Sequence, residues 1–438
     1  MLIFAALILT VPADAAYETG GVIKMIMSNG VTLLVYPEPE SSVVAIEIFA
    51  RVGAQDETPS TAGTGHLLAG SILSGTEGRA PLKLSRLVSE VGGNFRALWQ
   101  WNYVEVYAVT VPSMWSETLG LLADSVQEST LDQRAIDFSR TSIIRQISHQ
   151  EDDLFNSAYT ALRRLIHYKT PYDRAYLGES SAIKSITQQN LKDFYARNFS
   201  SDRIVISVAG NVDPAAVQRR VDIRFGNMKR SRLKETPQQK YEGSNGDVVL
   251  KKQGSASYIM VGYPAAGVDD PDYPAMCVAN VILGGNKSSL LFSKLREELG
   301  LGYQVGSLFP ALKGGSHIAA YLGMDSSRAT QEVIGTVRKT MEQQFDALSA
   351  GSFADDDLVR AKRYLIGSHA LKHERTRDRA FNLGWHEAVG LGYQYDFLYG
   401  DKMNAVTRAD VMRVCAKYFT KPSFVVVQGT SESAEAGE

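Results

Sequence analysis

The sequence has only two cysteines in 438 residues, Cys277 and Cys415, with no CxxC pair and no ligand-like spacing. That excludes a disulfide-stapled scaffold and a cysteine-bound metal site. Each lies in an apolar helical context, where a buried free thiol is the simplest reading and a single bridge between the two stays open. A charge excess of either sign is also missing, since 46 Lys and Arg stand against 48 Asp and Glu for a formal net charge of -2. No broad field therefore draws the chain to nucleic acid or to an anionic membrane. Beyond the first residues no apolar run approaches the ~20 needed to cross a bilayer. No GxGxxG or GxxxxGK[ST] follows a strand-like run, and LGGN at 283–286 is too short to cradle a phosphate.

What is there is ordinary globular composition, 44% hydrophobic and 21% charged, in a chain too long for one compact core. The opening MLIFAALILTV is apolar, and the PADAA that follows offers a small-x-small cleavage site after Ala15 or Ala16. This predicts a signal peptide over 1–16 and a soluble, exported or periplasmic protein, although no Lys or Arg precedes the apolar run.

The chain resembles itself. ITQQNLKDFYARNFSSDRIVISVAG at 186–210 aligns without a gap on VTRADVMRVCAKYFTKPSFVVVQGT at 406–430, an offset of 220 residues. In each copy a threonine, Thr187 or Thr407, precedes a helical pattern ending in Phe199 or Phe419, and a β-branched run follows. The segments 42–76 and 257–286 agree more loosely as strand, acidic loop and apolar helix. Alternation in NYVEVYAVTV at 102–111 and in HIAAYLGM at 317–324 predicts further strands, and helical periods run through 115–149 and 327–372. The expected fold is α+β, with two homologous domains in tandem, each a mostly antiparallel sheet against helices. The domains are placed at 17–228 and 247–430, with a polar linker at 229–246 and a disordered tail at 431–438.

The most specific signal is GTGHLLAGSILSGT at 63–76. It resembles the G-x-x-H-x-x-E-H segment of the pitrilysin/insulinase-like zinc peptidases, whose inverted motif supplies two zinc-binding imidazoles and a general base. His66 matches the first imidazole, whereas Ala69 stands where the resemblance expects the base and Gly70 where it expects the second His. The third ligand of the family, a Glu further along, falls in register on Gln146 within TSIIRQISHQEDD at 141–153. A catalytic zinc needs three protein ligands, an open position for water and a base. With His66 alone, no zinc hydrolysis and no cofactor are expected of this chain.

His369 and His373 share a face of a predicted helix, and Glu374 follows. The sequence indicates no third ligand beside them, so they are read as a solvated helix face. His149, His167, His317 and His386 are isolated.

In the second half, LLFSKLREELGLGYQVGSLF at 290–309 resembles the C-terminal signature of the same family, an Arg and a Tyr seven residues apart with glycine in the turn. The pair here is Arg296 and Tyr303. The resemblance implies that these side chains reach a zinc site and stabilise the reacting carbonyl. The chemistry fits, since a preset phenol O–H or guanidinium opposes the charge that grows on oxygen as a peptide bond is attacked, by ~3 kcal/mol per donor. Gly300 and Gly302 would let the loop bend. A chain with this pair and without zinc is similar to the zinc-free member of two-subunit bacterial peptidases. That similarity implies a heterodimer in which a zinc-bearing homologue holds the metal, Arg296 and Tyr303 act in trans, and an unfolded peptide is the substrate. The alternative is a structural or peptide-binding scaffold with no part in catalysis.

Overall fold

In a computed structural model, residues 17–18, 20–231 and 245–430 are described. The expected signal peptide, most of the linker and the tail lie outside them. Strands and helices build an α+β fold around two sheets. The strands are β1 (Tyr17–Glu18), β2 (Val22–Ile26), β3 (Thr32–Pro37), β4 (Val44–Ala50), β5 (Arg96–Trp99), β6 (Val104–Thr110) and β7 (Ile204–Gly210) in the first sheet. The second holds β8 (Asp247–Gln253), β9 (Ala256–Ala265), β10 (Gln304–Leu308), β11 (Ser316–Asp325) and β12 (Ser423–Thr430). The first half of the chain supplies helices α1 (Thr64–Ser71), α2 (Pro81–Glu90), α3 (Trp115–Glu128), α4 (Gln133–Asp152), α5 (Leu154–Ile166), α6 (Ser180–Ser185), α7 (Gln188–Asn198) and α8 (Pro214–Phe225). The second half supplies α9 (Tyr273–Gly284), α10 (Gln331–Ser349), α11 (Asp355–Leu371), α12 (Thr376–Val389), α13 (Gln394–Ala405) and α14 (Arg408–Tyr418). Among the described residues no helix is long and apolar enough to cross a membrane.

The first sheet runs β1-β2-β3-β7-β4-β6-β5 and the second β10-β11-β9-β12-β8. Each contains one parallel pair, β3 with β7 and β8 with β12, in an otherwise antiparallel ladder. The run β3-β7-β4-β6-β5 thus has the same order and directions as β8-β12-β9-β11-β10. Thr187 and Thr407 do cap α7 and α14, each in a capping box with the residue three positions on. Cys277 and Cys415 are free and buried.

Strand periodicity of two decides what lies on each side of a sheet. In the first, Ile46, Ile48, Val106, Ile206 and Val208 face a large core shared with α1, α3, α4, α7 and α8. The alternate positions, Phe49, Val205 and Leu34, face α12 from the other half of the chain, where Leu383 and Ala388 meet them. The second sheet does the reverse: Tyr258, Met260, Val425 and Val427 receive Ala158, Leu162 and Ile166 of α5, a helix from the first half. Each half therefore lends one helix to the other half's sheet. Covering both faces explains why β4 and β7 are buried along their whole lengths and show no apolar/polar alternation.

α12 lies close to its sheet because Gly384 has no side chain. A Cβ there would stand 2.4 Å from Phe49 Cε2 and 3.0 Å from Ser207 Cβ. Gly384→Val is expected to lower stability by about 1–3 kcal/mol through overpacking, read as a lower urea midpoint at constant m. Gly367→Ala on α11, where a Cβ meets open space, should instead stabilise by roughly 0.5–1 kcal/mol.

Candidate functional site

The strand β4 leads through an acidic loop into α1, which packs on α4 and on the edge strand β5. The loop's Glu57 builds the start of the helix: its two carboxylate oxygens accept from the backbone N–H groups of Gly63 at 2.9 Å and Gly65 at 2.7 Å. Burial pushes this carboxyl up to about 7, against those two hydrogen bonds and Arg174, which favour its ionised form. A helix-organising role for Glu57 is invisible in sequence, since the acidic loop reads only as a turn.

His66 sits on this helix with its ring edge-on to Tyr176 at 4.6 Å between centroids. Burial pushes its imidazole down to about 4, partly opposed by a hydrogen bond with the Tyr176 backbone, and its Nε2 is buried without a hydrogen-bond partner. Ala69 offers no donor atom. At Gly70 an added Cβ would stand 2.1 Å from Ser139 Oγ and 2.9 Å from Ser139 Cβ. A larger side chain at this exposed position would therefore press on the Ser139 side chain of α4. Gln146, two turns along α4 from Ser139, is exposed, and its side-chain amide donates to Ser142 Oγ at 3.3 Å. One imidazole, a methyl group, a glycine and a neutral amide do not fit a catalytic zinc.

The chain's similarities place this broken site in context. The family model described as insulinase (peptidase family M16) matches residues 33–178, and that described as peptidase M16 inactive domain matches 185–365. The chain belongs to the M16 peptidase family. It is 26% identical to an uncharacterized zinc protease of Streptomyces coelicolor over 82% of this chain and 78% of that protein. It is 24% identical to the uncharacterized zinc protease YmxG of Bacillus subtilis, over 90% and 94%. Its fold is that of a protease from Helicobacter pylori (TM-score 0.84, 18% identity, 93% of this chain and 99% of that one). A peptidase M16 inactive domain from Pseudomonas fluorescens matches equally well (TM-score 0.84, 20% identity, 93% and 98%). Within the M16 family this chain is a non-catalytic member, because Ala69, Gly70 and Gln146 leave His66 without the partners that hydrolysis requires.

Arg296 and Tyr303 lie in the other half. Arg296 is on a wide helical turn, Phe292–Glu298, with π-type hydrogen bonding, and Tyr303 immediately precedes β10. Gly300 at φ +62° and Gly302 at φ +71° make the bend between them. These left-handed values favour glycine, and at Gly302 a Cβ would also stand 2.7 Å from Leu322 Cγ. The Arg296 guanidinium donates to the Gly302 carbonyl, and the Tyr303 N–H donates to Gly323 O at 2.9 Å, so the loop is tied at both ends. Both side chains are exposed, Tyr303 by 51%. The Tyr258 hydroxyl nearby is pushed up to about 12 by its burial and by Tyr303. A charged fork and a phenol thus stand on a braced surface loop.

The reading of His369 and His373 as a solvated face needs correction. Both are only partly exposed, and they converge on the buried Asp396 of α13. The signal that could have found this third partner is absent from the sequence, because Asp396 stands beyond a whole intervening helix.

Proposed function

We propose that this chain is the zinc-free subunit of a two-chain zinc metallopeptidase. In this reading Arg296 and Tyr303 enter the active site of a zinc-bearing M16 homologue and hydrogen-bond the carbonyl of a bound, unfolded peptide. The observation that carries it is the coexistence of two features: a zinc motif in which Ala69 and Gly70 offer no ligand, with Gly70 packed against Ser139, and an Arg/Tyr pair whose side chains stand exposed on a braced loop. A phenol O–H at Tyr303 and the two-pronged guanidinium of Arg296 suit an oxygen that gains charge during peptide hydrolysis. Function is argued from this site, since the fold alone hosts several roles. The proposal includes tandem units at 17–228 and 247–430 joined by 229–246, and export of the mature chain.

The test is to purify the chain with a zinc-bearing M16 homologue and to assay peptide hydrolysis by each chain alone and by the mixture. Activity confined to the mixture, or raised at least tenfold in it, is expected. A mixture no faster than the zinc-bearing chain alone overturns the pairing, and chelator-sensitive activity in this chain alone overturns the broken zinc motif.

A further inference from the structure

A second cluster of metal-ligating side chains lies far along the sequence from the M16 motif, where α11 ends and α12 and α13 begin. His369 Nε2 is 3.1 Å from the Asp396 backbone oxygen and 3.3 Å from its Oδ1. His373 Nε2 is 2.8 Å from Asp396 Oδ2. His386 Nδ1 stands 3.5 Å from Asp396 Oδ1. One donor atom from each of His369, His373 and Asp396 lies within 4.8 Å of the others.

The hydrogen-bond roles leave room for a cation. His373 Nδ1 is 2.7 Å from the His369 carbonyl, which can only accept, so Nδ1 carries a proton. Nε2 then faces the Asp396 carboxylate at 2.8 Å, where either a proton or a metal ion bridges the two, and a bound metal would replace that proton. An imidazole fixed through one nitrogen by a backbone carbonyl has its other nitrogen oriented for a metal, as second-shell bonds orient metal-bound histidines. The buried His386 Nδ1 and Asp396 Oδ1 have no hydrogen-bond partner, so the carboxylate has capacity to spare.

We propose that His369 Nε2, His373 Nε2 and the Asp396 carboxylate bind a divalent transition metal, for which zinc is the probe. Ligands at about 2.0–2.2 Å from zinc stand roughly 3.3 Å apart in a tetrahedron, against 3.3 and 2.8 Å from the two imidazoles to the Asp396 carboxylate here. Two imidazoles and one carboxylate suit zinc rather than magnesium or calcium. The partly exposed His373 edge admits the ion and leaves a fourth position for water. His386 positions the inner carboxylate oxygen. The site would fasten the end of α11 to α13 around α12, the helix that the second half lends to the first sheet, and so stiffen the join between halves.

The test uses the tag-free full chain, stripped with chelator and titrated with zinc, with bound metal counted by mass spectrometry and melting temperature followed in parallel. One equivalent of zinc and a raised melting temperature are expected for the wild type and for His66→Ala. His373→Gln and Asp396→Asn should weaken binding about 100-fold or more, beyond the 10–100-fold typical of losing an outer partner. Folding of the variants is checked by circular dichroism, and Glu374→Gln serves as a neighbouring control that should bind normally. Failure of the wild type to take up zinc overturns the proposal, as does zinc that survives both His373→Gln and Asp396→Asn or is lost in His66→Ala.

Discussion

Replacing Tyr303 by Phe is expected to lower kcat/KM of the reconstituted two-chain peptidase about 10²-fold or more, and Arg296→Ala about 10²–10³-fold. These are the losses seen when one preset donor to a developing oxyanion is removed, roughly 2.7–4 kcal/mol. The two side chains are exposed, so Tyr303→Phe should change the melting temperature of the isolated chain little, and Arg296→Ala should lower it only by the loss of its bond to the Gly302 carbonyl. Tyr303→Phe keeps the ring and the backbone bond to Gly323 and removes only the hydroxyl, together with its hydrogen bond to Tyr258. Arg296→Ala also removes the bond to the Gly302 carbonyl and loosens the loop. Arg296→Lys separates the two effects: a cation returns without the planar fork, and partial recovery of kcat would assign a share to charge alone. A donor that acts only in the transition state lowers kcat, whereas a pure peptide-binding contact raises KM. Wild-type kinetics in both Tyr303→Phe and Arg296→Ala would sink the catalytic role and leave a scaffold.

The degree to which this architecture is readable from sequence differs from element to element. β4, β6, β9 and β11 announce themselves as β-branched or alternating runs, and Thr187 and Thr407 mark helix starts through local side-chain chemistry. Such signals sit within a few residues of one another. The lending of α5 and α12 across the two halves has no local signature, because periodicity gives the apolar face of a helix and not the sheet that it covers. α12 is especially opaque: Arg377, Arg379, Asn382, His386 and Glu387 make it look solvated. Arg377 instead meets buried acids of the first sheet and Glu387 meets Lys24 of β2, while Asn382 and His386 turn to the Lys372 carbonyl and to Asp396 of α13.

The same distinction holds at the sites. His66, Ala69 and Gly70 are adjacent in sequence, so a broken motif is visible there, but Ser139, which packs against Gly70, comes from another helix. Glu57 and Asp396 were both missed for one reason. Each acts on groups that its own residue type does not announce: Glu57 on backbone N–H groups six and eight residues along its loop, and Asp396 on imidazoles of α11, the turn after it and α12.

The largest loss of stability is expected at the seam between the halves, where Arg377 of α12 meets two acids of the first sheet. Glu47 on β4 is wholly buried and Glu105 on β6 nearly so. Arg377 Nε donates to Glu47 Oε1 at 3.0 Å, its Nη2 donates to Glu105, and its guanidinium lies 3.9 Å over the Tyr107 ring. Burial raises both carboxyls, and Glu105 raises Glu47 further, while Arg377 draws both back down. One cation therefore serves two acids, and the Glu47 carboxyl is pushed well above its ordinary range by burial and by Glu105. Removing the cation in Arg377→Ala leaves both acids buried without it, a change of about 3–5 kcal/mol, and should unlatch α12 from the sheet. Because these carboxyls have higher pKa values folded than unfolded, their contribution is greatest below about pH 4.5 and is lost as pH rises through the folded values. The Arg377→Ala defect should accordingly shrink toward acid pH and widen toward neutral. Glu47→Gln removes the surplus acid, keeps a hydrogen-bonding group of the same shape and should flatten the pH dependence of the wild type. Urea unfolding of the three proteins across this range measures both effects. A defect in Arg377→Ala that is the same at every pH would mean that the arginine acts through packing on Tyr107 rather than through its charge.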